Sequence, residues 1–203
     1  YGGRRLGVDN PDVIYTGDGN QIFVRTTSGG ALNVTSALPG AGTITDIELD
    51  SDDWMTAFAV DSNQVFMTTD AGTNWTDITG NLTAISSTDF RTVEFVGAAS
   101  GDAIVVGTRS GVFFAKTSAP TVWAELGTNL PEMLVFELDY IASTDTLVAG
   151  TLGRGVWTLP DASNVITPGT VDAAINGSGD LVLEETGGNT DDELTISFDG
   201  TDY

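Results

Sequence analysis

The stretch Gln64-Val65-Phe66-Met67-Thr68-Thr69-Asp70-Ala71-Gly72-Thr73-Asn74-Trp75-Thr76-Asp77-Ile78-Thr79-Gly80-Asn81-Leu82 reads as a strand, a tight turn and a second strand. Val65, Phe66 and Met67 are strand formers. Thr68, Asp70, Gly72 and Trp75 then stand at the spacing Thr-x-Asp-x-Gly-x-x-Trp. Each has a physical task in such a turn. The Asp carboxylate accepts backbone N–H groups within its own turn. The Gly adopts a backbone conformation that a side chain would forbid. The Trp folds its ring over the turn and closes it.

Outward from this hairpin the chain repeats. Gln21-Ile22-Phe23-Val24, Gln64-Val65-Phe66-Met67, Gly111-Val112-Phe113-Phe114 and Gly155-Val156-Trp157-Thr158 recur at intervals of 43, 47 and 44 residues. Before each lies an apolar strand that opens after Asp12, Asp53, Asp102 or Asp145. Before each Asp lies an alternating segment: Leu6-Gly7-Val8, Ile47-Glu48-Leu49, Val93-Glu94-Phe95 and Phe136-Glu137-Leu138. A fourth strand follows in three units, near Leu32–Val34, Trp75–Ile78 and Trp123–Leu126. A β-rich period of about 40 to 50 residues predicts four-stranded β-propeller blades. The expected fold is therefore all-β, with four blades over residues 1–160 forming part of a larger ring. A linker over 161–169 and the start of a second β-module over 170–203 follow. In that module, 179–185 and 193–198 read as strands.

The Thr68–Trp75 spacing resembles the Asp-box of secreted β-propellers, a group that includes sialidases, xyloglucanase-type glycosidases and sortilin-like receptors. Gly150-Thr151-Leu152-Gly153-Arg154-Gly155-Val156-Trp157 is similar to the ending common in the last blade of such propellers. Gly3-Arg4-Arg5-Leu6-Gly7-Val8-Asp9-Asn10-Pro11 is similar to a stretch of the xyloglucanase type. The module after Pro160 resembles fragments of large bacterial surface proteins. The resemblance implies the C-terminal half of a propeller in a secreted or cell-surface protein. It implies nothing about a reaction, because the glycosidase acids match no position here and the sialidase Arg-Ile-Pro opening is missing.

Composition narrows the function classes. The 203 residues carry 7 basic and 29 acidic side chains, a formal charge of −22. Such a surface repels nucleic-acid phosphates and anionic membranes. With no Cys and no His, disulfides, thiolate or imidazole metal sites and His-based triads are excluded. No apolar run approaches the roughly 18 residues of a membrane-spanning helix. The opening Tyr1-Gly2-Gly3-Arg4-Arg5 reads as mid-domain sequence, so a longer polypeptide is expected.

Glu48, Glu94 and Glu137 are the candidate chemistry, read at matching positions of three inner strands around a central channel. Carboxylates gathered there raise one another's pKa values or hold a hard cation such as Ca²⁺. The alternative is that each is hydrogen-bonded between blades or solvated. No other cofactor is implied. Asp50-Ser51-Asp52-Asp53 and Asp191-Asp192-Glu193 are acidic turns without a calcium-loop spacing. Tyr15, Trp54 and Tyr140 suit either sugar stacking or packing between blades. The leading expectation is a non-catalytic extracellular interaction or structural segment. Its partners would be the remaining blades, another protein chain or carbohydrate. The second expectation is part of a glycoside hydrolase.

Overall fold

The computed structural model describes residues 2–99, 101–127, 132–166, 170–175 and 181–186. A short hairpin comes first, β1 (Gly3–Arg5) against β2 (Val8–Asn10). Four antiparallel meander sheets follow. The first holds β3 (Ile14–Asp18), β4 (Gln21–Arg25) and β5 (Asn33–Val34). The second holds β6 (Asp46–Leu49), β7 (Ala57–Val60), β8 (Val65–Thr68) and β9 (Thr76–Asp77), then the helical turn α1 (Leu82–Ile85). The third holds β10 (Thr92–Val96), β11 (Ala103–Thr108), β12 (Gly111–Lys116) and β13 (Trp123–Glu125). The fourth holds β14 (Val135–Ile141), β15 (Thr146–Thr151) and β16 (Gly155–Pro160), closed by α2 (Ala162–Ile166). A separate pair, β17 (Thr170–Ile175) and β18 (Leu181–Thr186), comes last.

The chain is all-β with propeller blades, and the four units share one register. Ile22, Val65, Val112 and Val156 pair across the central hairpin with Gly17, Val60, Gly107 and Gly150. Side chains alternate along each strand, so each sheet presents one face to the sheet before it and one to the sheet after. Three apolar cores fill the seams. Ile22, Ala59, Phe66 and Trp75 lie between sheets one and two. Phe58, Val60, Val65, Val93, Phe95 and Ile104 lie between two and three. Val105, Val112, Leu138, Leu147 and Ala149 lie between three and four. Across the middle seam the rings of Phe58 and Phe95 stack at 5.9 Å.

Outer strands are tied to the preceding unit. Trp123 donates its indole N–H to Ile78 O (3.0 Å), and Asn81 clasps the Trp123 backbone from both sides (2.7 and 3.0 Å). Close approach needs Gly107, where a Cβ would stand 2.8 Å from Val135 Cγ1.

The structure departs from the sequence reading in four places. Leu6–Val8 is not an inner strand. Leu6 and Gly7 form the tip of the β1–β2 hairpin, with Leu6 in the left-handed region and exposed. Sheet one therefore has three strands, as does sheet four. Residues 53–56 form a loop, and the second strand of unit two begins at Ala57. Residues 162–166 are no linker: α2 buries Ala162 and Ile166 in the seam core of sheet four. The strand read at 179–185 is β18, its partner β17 was not foreseen, and the strand read at 193–198 lies outside the described residues.

Phe58 is fully buried and holds two sheets together. Phe58→Ala is expected to destabilise the chain by about 3–5 kcal/mol, the usual result of emptying a buried aromatic site. Denaturant unfolding followed by Trp fluorescence measures it.

Candidate functional site

The Thr68–Trp75 turn is held by its own side chains. The Thr68 hydroxyl donates to Asp70 Oδ1 (2.9 Å) and accepts the backbone N–H of Gly72 (2.9 Å). Asp70 accepts the Asn74 backbone N–H on Oδ1 (2.8 Å) and the Asn74 side-chain amide on Oδ2 (2.7 Å). The Asn74 bonds, with that from Thr68, hold the Asp70 carboxyl below its ordinary range. Gly72 sits at φ +80°, with Thr35 packed where a side chain would go. The Trp75 indole N–H donates to Thr35 Oγ1 across the seam (3.2 Å). The Gly72 carbonyl accepts the Ser36 N–H from the same segment (2.9 Å). The turn thus fastens unit two to the end of unit one.

The inner strands carry the acids, and their register corrects the sequence alignment. Glu48 pairs with Phe58, Glu94 with Val105 and Asp139 with Val148, which are equivalent positions of three sheets. Glu137 instead pairs with Gly150, level with Asp46 and Thr92. The cause is the connection between the first two strands: four residues separate Ile141 from its partner Thr146 in the fourth sheet, and six separate Val96 from Ala103 in the third. A β-bulge at Phe136 displaces only Val135, on its other side, by one position along the ladder. The Phe136 ring stacks under the Arg91 guanidinium, 5.6 Å from its centroid.

Two rows of side chains follow on the forward face of each inner strand. The lower row is Asp46, Thr92 and Glu137, and it joins the sheets. Asp46 Oδ2 accepts the Thr92 hydroxyl and the Val93 N–H of the next sheet, both at 2.9 Å. Thr92 Oγ1 accepts the Leu138 N–H of the sheet after that (3.2 Å). The upper row is Glu48, Glu94 and Asp139. Burial pushes Glu48 up to about 7, and Asp46 and Asp139 add to the shift. Burial pushes Glu94 up to about 8, with Glu48 the next cause. Burial is also the first cause of the raised Glu137 carboxyl, followed by Asp46 and Asp139.

Glu48 borders two clefts. One, of about 560 Å³, is lined by Glu48, Ser51, Asp52, Glu94, Asp102 and Tyr140. The other, of about 550 Å³, lies between Arg4, Asp9 and Pro11 on one side and Tyr15, Glu48 and Asp50 on the other. Among the described residues, no three His, Cys, Asp or Glu side chains converge as a metal site. Glu137 stands one level below Glu48 and Glu94, so the three do not occupy matching positions as read from sequence.

Tyr15 and Tyr140 are tied to the scaffold. Tyr15 donates to the Trp54 carbonyl (3.0 Å), and burial raises its phenol. Tyr140 donates to Asp145 Oδ1 (2.9 Å); burial and that carboxylate push it up to about 12. Arginines are dispersed in separate pairs: Arg5 with Asp53 (3.1 Å), Arg91 with Asp89 (2.7 Å) and Arg4 with Asp9 (3.9 Å). They form no anion-binding trio. Asp46 and Asp139 lie one residue before Ile47-Glu48-Leu49 and one residue after Phe136-Glu137-Leu138, and that adjacency was the available signal.

No protein-family model matches the chain, and no curated protein matches it in sequence. Solved structures do match in fold. The GH74 xyloglucanase of Xanthomonas campestris superposes with a TM-score of 0.55 at 14% identity, over 74% of this chain and 28% of that one. The GH74 enzyme of Niastella koreensis superposes with a TM-score of 0.56 at 14% identity, over 86% and 26%. The chain therefore spans about a quarter of the length of either enzyme, and the likeness is one of fold.

Two outcomes are expected. Thr68→Val leaves the buried Gly72 N–H without its acceptor and costs about 1–3 kcal/mol in denaturant unfolding. Glu48 and Glu94 have folded values raised above the ordinary 4.5, so the folded chain binds more protons than the unfolded one. Their stabilising contribution is complete below about pH 4.5 and is lost as pH rises through about 7 and 8. Thermal melts should fall between pH 5 and 8.5, and Glu94→Gln should flatten that fall.

Proposed function

We propose that residues 1–160 form an arc of blades within a β-propeller, serving a large secreted or cell-surface protein as a non-catalytic interaction or structural segment. The Thr68–Trp75 turn acts in this reading as an Asp-box whose task is closure between units. The observation that carries the proposal is the contrast among four equivalent residues. Ile22, Val65 and Val112 are 0%, 0% and 2% exposed, and Val156 is 67% exposed. The first three are covered by the following sheet, and the fourth offers the same surface to a partner.

A second reading, part of a carbohydrate-active enzyme, has one observation in its favour. Glu94 and Glu48 border an open cleft and hold their protons near neutral pH, as a general acid must. Glycoside chemistry also needs a second carboxyl kept ionised by a contrasting environment. Glu48 and Glu94 are shifted in the same direction, each mainly by burial. The non-catalytic reading is therefore preferred. No helix among the described residues is long and apolar enough to cross a membrane.

Incubation with xyloglucan and with β-glucan oligosaccharides, followed by a reducing-end assay, is expected to give background values. Hydrolysis above background that disappears in Glu94→Gln would sink the non-catalytic reading.

A further inference from the structure

We propose that the outward face of the fourth sheet is a prepared seam for one further propeller blade, whose inner strand donates a backbone N–H to Glu137. The inference rests on the reading of the chain as an arc of blades and names the partner of its open face.

The two seams between complete inner strands show what such a face requires. In the first, Asp46 accepts the Val93 N–H (2.9 Å), and Val65 is buried beside it. In the second, Thr92 accepts the Leu138 N–H (3.2 Å), and Val112 is buried beside it. Each seam thus pairs one oxygen acceptor on the inner strand with one apolar residue on the third strand. In both, the acceptor takes a main-chain N–H, so the partner is recognised as a strand at that height; in the first seam Asp46 takes the Thr92 hydroxyl as well. The fourth sheet repeats both parts in register. Glu137 occupies the Asp46 and Thr92 position, and Val156 the Val65 and Val112 position. Both are exposed, and among the described residues Glu137 has no hydrogen-bond partner. A carboxylate already serves as acceptor in the first seam, so Glu137 is suited to the same bond.

The occupant is a blade that possesses an inner strand. A second copy of this chain does not supply one at its leading end, because sheet one begins at β3 and β1–β2 stands apart as a hairpin. Two copies meeting by their fourth sheets would oppose Glu137 and Asp139 to their own duplicates, which like-charge repulsion disfavours. The matching partner is an uncharged or basic sheet with an apolar residue at the Ile47, Val93 and Leu138 position, one residue past its own seam acceptor.

The chain lacks cysteine, so Val156→Cys places a single thiol on the seam. In the isolated 203-residue chain, Cys-specific maleimide labelling at this site should run at the rate of an exposed thiol. In the intact polypeptide purified from the cells that make it, labelling should be at least about a hundredfold slower, since it then requires the seam to open. Adding Glu137→Lys should restore fast labelling, whereas Glu137→Gln, which keeps an acceptor, should preserve the protection. Val156 and Glu137 are exposed, and unchanged melting of each isolated variant verifies folding. Fast labelling in the intact polypeptide overturns the proposal. So does protection in the isolated chain that grows with concentration, which would identify a second copy as the cover. Protection that survives Glu137→Lys overturns the assigned acceptor. Hydrolysis of xyloglucan would defeat the non-catalytic reading and leave the labelling pattern untouched, so the two failures are distinguishable.

Discussion

Burial between successive sheets is the constraint on which this architecture depends. A sheet of three or four short strands has two apolar faces and is too thin to bury either by itself. Each seam solves the problem for two sheets at once. Phe58 and Phe95 illustrate it: they belong to different sheets, stack on one another, and are both removed from water. The side-chain-to-backbone bonds from Asp46 and Thr92 fix the height at which one sheet meets the next. Without them the apolar faces would still attract, because hydrophobic burial is not directional. The polar row supplies the registration that the apolar core lacks.

Enclosing the inner strands between sheets has a cost, visible in Glu48 and Glu94. Placing carboxyls where sheets converge removes water from them, and burial is the largest cause of both shifts. The chain accommodates the acids by retaining protons on them. An exposed surface charge would be retained for solubility alone, but these two sit against clefts at the inner edge of the blades. Their protonation couples the inner edge to pH while the Thr68–Trp75 turn, whose Asp70 is shifted the opposite way, holds the periphery. The two ends of a sheet thus respond to different pH ranges.

Much of the fold was legible because the repeated unit is written in residue type and spacing together. The third strand of every unit was found, and its four leading residues do share one register. What escaped notice was geometry that residue type leaves open. Phe136-Glu137-Leu138 and Leu138-Asp139-Tyr140 both alternate apolar and acidic, so either could have stood level with Val93-Glu94-Phe95. Only the short connection 142–145, two residues shorter than 97–102, selects the second. Leu6-Gly7-Val8 looked like an inner strand because it is apolar, yet positive φ at both Leu6 and Gly7 makes it a turn. The segment 162–166 looked like a linker because it lies between Pro160 and Pro168, where the repeated pattern stops. Two residues, Ala162 and Ile166, suffice to seat it. The candidate site was half legible: Glu48 and Glu94 were named, and Asp46 and Asp139 emerged from the pairing of strands.

The seating of α2 has a mechanical consequence. Asp145 accepts the backbone N–H and the hydroxyl of Ser163 and also the phenol of Tyr140, so one carboxylate joins the helical turn to the innermost strand of its blade. Tension applied through the polypeptide beyond Ile166 is therefore carried first by this anchor, and only afterwards by the peeling of β16 from β15. The propeller is shielded from a tug on its exit by a small, replaceable fastening, as a rope is cleated before it reaches the mast.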